Sequence, residues 1–143
     1  MLHFSVASPM SYMPCAYVEA LVPAGFPSPA ADYIEQSLDL NELCIRHPAA
    51  TYFVRVSGDS MIGAGIQDGD MLIVDRSIEP KSGDIVIAGY YGELTVKRLE
   101  VDDKGVRLAP MNPDYPVIQV PNESELLIQG VVVHTLHSFK RTS

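Results

Sequence analysis

Basic residues are scarce in this chain. Ten lysines and arginines stand against eighteen aspartates and glutamates, a formal charge of −8. That balance argues against a chain that grips phosphate by itself, so no direct binding of duplex DNA is expected and a protein partner is favoured. Cysteine is nearly absent too. Cys15 and Cys44 both lie in the N-terminal third at no metal-type spacing, which leaves no disulfide framework and fits a reducing cytoplasm. Long apolar runs are also missing: "GVVVHTL" and "IVIAGYY" fall far below the roughly 20 residues that span a bilayer, so no membrane association is expected. The opening "MLHFSVASPMSYMPC" has no basic start and is broken by Pro9 and Pro14, a poor signal peptide. No motif calls for a cofactor.

What is present suits one domain: 143 residues, 47% apolar and 20% charged, enough to bury a single core. Residues 1–29 read as a flexible arm, with Pro9, Pro14, Pro23, Pro27 and Pro29 and little periodicity. Ser28 before Pro29 is a good helix start. Ile34, Leu38 and Ile45, with Tyr33, Leu40 and Cys44 nearby, give a ragged apolar stripe that stops at His47–Pro48. Asp39 with Glu42 offers a second start, so one or two short helices are expected here. From Thr51 the pattern changes to short strands: "TYFVRVS", "MLIVD", "DIVIAGY", "ELTVKRL", "GVRLAP", "PVIQV" and "LLIQGVVVHTL". Turn chemistry such as "QDGD", "KSGD" and "MNPDYP" separates them. The expected architecture is mainly β: a compact, strongly bent β-domain over residues 30–143, short helices included, behind the arm.

Within "RVSGDSMIGAGIQDGDMLIVD", Ser60 stands in a glycine-rich turn. A serine hydroxyl is a weak nucleophile until a base takes its proton. The Gly-x-Ser-x-Gly elbow fails because Ile62 occupies the second glycine position. His3, His47, His134 and His137 leave a Ser-His-Asp triad open. Lys97, in "ELTVKRL", shares strand parity with Thr95 and Leu99. Burial among apolar neighbours lowers a lysine's proton affinity enough to make it a base; on a solvated edge beside Arg98 it would be an ordinary surface lysine. A metal pair of His134 and His137 is disfavoured, since residues three apart on a strand face opposite ways.

Longer motifs decide between these options. "SGDSM", then "DGDMLIVD", then "ELTVKRL" resemble the LexA-like Ser-Lys self-cleaving family, which contains the LexA repressor, phage repressors and UmuD. "GFPSPAADYIEQSLDLNELCIRHPAATYFVRVSGDSM", "PMNPDYPV" and "GVVVHTL" resemble its UmuD/MucA branch, so the likeness runs over about residues 20–137. It implies Ser60 as nucleophile and Lys97 as general base. The Gly58–Met61 turn would supply the oxyanion donors through the backbone N–H groups of Ser60 and Met61. The substrate it implies is the chain itself, cut at Ala24–Gly25, where the absence of a Cβ on Gly25 suits a narrow cleft. It further implies a homodimer, stimulation by a RecA filament on single-stranded DNA, and a shortened product that joins a UmuC-type error-prone polymerase in SOS translesion synthesis. Only 24 residues precede Gly25, without a helix-turn-helix pattern, so a repressor is not expected. Two rivals stand beside this reading: a signal-peptidase-like enzyme, which the lack of an anchor disfavours, and a non-catalytic dimeric scaffold in which Ser60 and Lys97 are inert.

Overall fold

A computed structural model describes residues 3–6, 12–19, 21–26 and 34–140. Among the described residues there are ten strands: β1 (His3–Val6), β2 (Pro14–Glu19), β3 (Ile34–Asp39), β4 (Thr51–Arg55), β5 (Met71–Asp75), β6 (Ile85–Tyr90), β7 (Glu93–Asp102), β8 (Gly105–Ala109), β9 (Ile118–Val120) and β10 (Leu126–Leu136). Eight of them form one sheet in the order β1-β4-β5-β10-β6-β7-β8-β9, and β2 pairs with β3 in a second. Every pairing among these strands is antiparallel. The fold is mainly β, and all seven strands expected after Thr51 form.

Alternation builds two cores around the middle of the large sheet. Successive strand residues face opposite ways. In β6, Ile87 enters one cluster with Tyr52, Val54, Met61, Leu72, Val74 and Val96, while Val86 and Ala88 enter another with Leu99, Leu108 and Val131. Both faces of β6 are thus covered. Register breaks in β10 between Ile128 and Gly130 and between Val132 and His134 bend the strand so that it serves β5 on one side and β6 on the other.

The helical expectation is corrected in part. Helix α1 (Leu40–Cys44) starts where Asp39 was expected to cap it, with the Asp39 carboxylate accepting the Asn41 N–H at 3.0 Å. Ile34–Asp39, however, is strand, in register with Pro14–Glu19. The sparse stripe of Ile34 and Leu38 provides no wide apolar face to bury, whereas a partner strand satisfies the backbone directly. That partner lies in the arm, as does β1, so two segments of residues 1–29 are paired strands. Ser28 and Pro29, and with them the boundary between arm and domain, lie outside the described residues.

Buried carboxylates pin both ends of β5. Asp70 accepts the Gln67 N–H at 2.9 Å and the Thr135 hydroxyl at 3.1 Å, and its other oxygen meets His137 Nδ1. Asp75 holds the Ser77 N–H and hydroxyl at 2.8 and 2.6 Å, and His47 Nδ1 at 2.6 Å. Burial by itself raises both carboxyls, but these hydrogen bonds together outweigh it and hold both below the ordinary 3.8. A depressed folded value means that stability is present above the unfolded value and is lost as pH falls through the folded one. Urea midpoints should therefore drop steadily as the solution is taken from pH 5 to below 3.8. A flat profile there would show that the two carboxylates do not contribute.

Candidate active site

Ser60 sits in the turn that leaves β4. Val56 bonds both residues at the far end of the loop, its N–H to Asp70 O at 2.9 Å and its carbonyl accepting the Gly69 N–H at 2.8 Å, which closes the neck. Gly58 has φ +94°, a backbone conformation that glycine adopts without a Cβ penalty, and its N–H donates to the Asp68 carboxylate at 2.7 Å. The next side chain after Ser60, Met61, is fully buried in the first core cluster. Ser60 is therefore held between an anchored residue and a pinned glycine, and its own side chain is half-buried.

Lys97 comes from β7, 37 residues further on, and its Nζ lies 3.1 Å from Ser60 Oγ. The same nitrogen donates to Thr95 Oγ1 at 2.8 Å and to Val96 O at 3.1 Å. Thr95, the same-face neighbour by strand parity, fixes the direction of the amine. Lys97 is only 8% exposed. Among the described residues no carboxylate forms an ion pair with it. Burial accordingly pushes its ammonium below the usual 10.5. The solvated-edge reading of Lys97 is excluded.

The remaining expected residues fall into two groups. The N–H groups of Ser60 and Met61 take no hydrogen-bond acceptor among the described residues and lie in the same turn as Ser60 Oγ. Ala24 and Gly25 lie apart, in an exposed segment where a Cβ on Gly25 would meet nothing within 4 Å and where Phe26 is 94% exposed. That bond is not docked against Ser60 in this conformation.

The Peptidase S24-like family matches residues 16–133. The chain belongs to that family. It is 52% identical over 120 residues to protein SamA of Salmonella typhimurium, covering 84% of this chain and 83% of that protein. With protein MucA of Escherichia coli it shares 51% over 116 residues, 80% of this chain and 79% of that one. A LexA repressor from Delftia acidovorans is 44% identical over 112 residues, 78% of this chain but 50% of the repressor. The likeness to the UmuD-like branch noted above is thus real, and it supports a role in SOS mutagenesis. Peptidase S24 membership supports an enzyme of the self-cleaving serine protease kind.

Two of the S24 chain's histidines are engaged elsewhere. His47 pairs with Asp75 and His137 with Asp70, so neither is available to Ser60, and His134 is exposed on β10. No three His, Cys, Asp or Glu side chains among the described residues are grouped to hold a metal. No described helix is long and apolar enough to cross a membrane. The feature that sequence reasoning left without a role is the "MNPDYP" turn, which lies directly behind the Ser60 loop: Met111 N–H donates to Ser60 O at 2.8 Å.

Proposed function

We propose that this chain is a self-cleaving serine peptidase of SOS mutagenesis, with Ser60 as nucleophile and Lys97 as general base, acting on its own Ala24–Gly25 bond. The observation that carries the reading is the 3.1 Å approach of Nζ to Oγ by a buried lysine that has no counter-ion among the described residues. When neutral, Lys97 keeps two N–H bonds for Thr95 Oγ1 and Val96 O and turns its lone pair to the Ser60 hydroxyl.

The steps then follow. Lys97 takes the Ser60 proton as Oγ attacks the Ala24 carbonyl carbon, and the N–H groups of Ser60 and Met61 receive the developing oxyanion. Collapse breaks the C–N bond, and the Lys97 ammonium returns the proton to the amine of Gly25. Water, deprotonated by the same lysine, hydrolyses the ester on Ser60 and releases Ala24 as a carboxylate.

An undocked Ala24–Gly25 bond suits control by population: cleavage waits for the conformation in which the bond enters the cleft, and an activator raises its share. The RecA–single-stranded DNA filament is that activator in this reading. The setting is the cytoplasm, the working form a homodimer, and the partner of residues 25–143 a UmuC-type polymerase.

Intact-mass analysis tests the whole. Purified protein held at alkaline pH, or with RecA, ATP and single-stranded DNA, should lose residues 1–24 and yield a chain beginning at Gly25. A chain that stays whole under both conditions would overturn the peptidase reading in favour of a non-catalytic scaffold.

A further inference from the structure

The loop that carries Ser60 does not stand alone. Gly63 N–H donates to Met111 O at 2.7 Å and Met111 N–H to Ser60 O at 2.8 Å. The two backbones lie so close that a Cβ on Gly63 would stand 2.5 Å from Met111 O. Asn112 Nδ2 donates to Asp59 O at 3.0 Å, and the Tyr115 hydroxyl donates to the Asp59 carboxylate at 2.5 Å. The second segment is itself a closed turn, with Asp114 N–H on Asn112 Oδ1 at 3.0 Å and Tyr115 N–H on Asn112 O at 3.1 Å.

Peptide geometry gives these contacts a direction. In a planar trans peptide the C=O of one residue and the N–H of the next point oppositely within one plane. The Asp59 carbonyl and the Ser60 N–H belong to one peptide unit, and the Ser60 carbonyl and the Met61 N–H to the next. Asn112 therefore holds the rear of the unit that presents the Ser60 N–H, and the Met111 amide holds the rear of the unit that presents the Met61 N–H. Hydrogen bonds accepted at the carbonyl end also polarise a peptide and strengthen its N–H as a donor.

We infer that the Met111–Tyr115 turn is the mount of the oxyanion site, with Asn112 as a positioning residue that aims the Ser60 N–H and the Tyr115–Asp59 contact as its fastener. This rests on the Ser60–Lys97 reading above. Asn112 touches neither the scissile bond nor Lys97 and acts only through the peptide it grips. Its loss should therefore lower the limiting rate of bond cleavage without altering the titration of the base.

Asn112→Ser isolates the effect. A serine oxygen at this position still accepts from Asp114 N–H, adds no charge, and is too short to reach Asp59 O. Self-cleavage is followed by intact mass across the alkaline range in wild type, Asn112→Ser and Tyr115→Phe, with melting curves recorded for each. Removing an oxyanion donor outright costs about 100- to 1,000-fold in other hydrolases; misaiming one should cost about tenfold or more. The expected result is that fall in the plateau rate for Asn112→Ser, a smaller fall for Tyr115→Phe, and for both an unmoved midpoint of the pH–rate curve and an unmoved melting temperature. A wild-type plateau in Asn112→Ser overturns the inference and leaves the Ser60–Lys97 reading standing. So does a loss that comes with a shifted midpoint or a lower melting temperature, which marks a merely structural contact. Should Asn112→Ser not fold, Tyr115→Phe decides by the same readouts. A wild type that is never cut overturns both readings together.

Discussion

Lys97→Met should stop self-cleavage and make the protein more stable at the same time. On the activity side, a general base contributes about 100- to 10,000-fold, and in the proposed reading it also activates the nucleophile, so a loss of at least about a thousandfold is expected, comparable to Ser60→Ala. On the stability side the sign is opposite. The folded protein holds Lys97 with its ammonium disfavoured by burial, whereas the unfolded chain binds that proton up to its ordinary 10.5. Wherever the unfolded state binds more protons, stability rises with pH. The cost of the lysine is thus full below its folded value and fades as pH climbs to 10.5. Methionine has no charge to desolvate and similar length, so the variant should melt above wild type at neutral pH, with the gap closing toward pH 10.5. The wild-type cleavage rate should climb over the alkaline range as the amine is freed. Calorimetry and intact mass on the same samples check both halves. A variant that still cuts, or one that melts lower, would remove Lys97 from the role of a buried base.

Gly130→Ala should cost about 2–4 kcal/mol, the sum of strain at an unfavourable backbone angle and overpacking, out of the roughly 5–15 kcal/mol that a domain has. Gly130 has φ +147°, where side chains are rarely tolerated, and it stands at the register break in β10 between β5 and β6. A Cβ there would lie 2.6 Å from Val74 Cγ1 and 3.3 Å from Asp75 O. Val74 is fully buried and Asp75 carries the His47 contact, so neither neighbour yields without disturbing the strand at the centre of the sheet. Urea unfolding of the variant reads the effect directly, and an unchanged midpoint would mean that β10 can shift its bulge. A larger residue at Gly130 should prevent accumulation of folded protein.

How much of this was legible depends on how local each signal is. "MLIVD" and "LLIQGVVVHTL" coincide with β5 and β10 residue for residue, because dense apolar runs between turn residues leave little choice of state. Asp39 announced its helix by capping chemistry, also a local matter. Ile34–Asp39 departs from the helical expectation because its ladder partners lie 15 to 25 residues earlier, from Glu19 opposite Ile34 to Pro14 opposite Asp39, and no periodicity within the segment reveals them. Ser60 and Lys97 stand out through family motifs and not through pattern. Nothing in "ELTVKRL" alone distinguishes a buried lysine from a solvated one, since that depends on what covers the strand. The support behind Ser60 was least visible: Asn112 and Tyr115 meet Asp59 across 53 and 56 residues, and "MNPDYP" by itself announces only a turn.

Both β1 and β2 precede Gly25, and each runs beside a strand that follows it: β1 along the outer side of β4, β2 along β3. Hydrolysis at the proposed Ala24–Gly25 bond would therefore loosen two ladders. Once the severed piece departs, Thr51–Arg55 becomes the rim of the large sheet and Ile34–Asp39 is left without its mate, each with a row of outward main-chain N–H and C=O groups. Open rims of this kind accept an extended strand from another chain. The shortened molecule would thus carry a latent valence in its backbone that the intact one uses on itself.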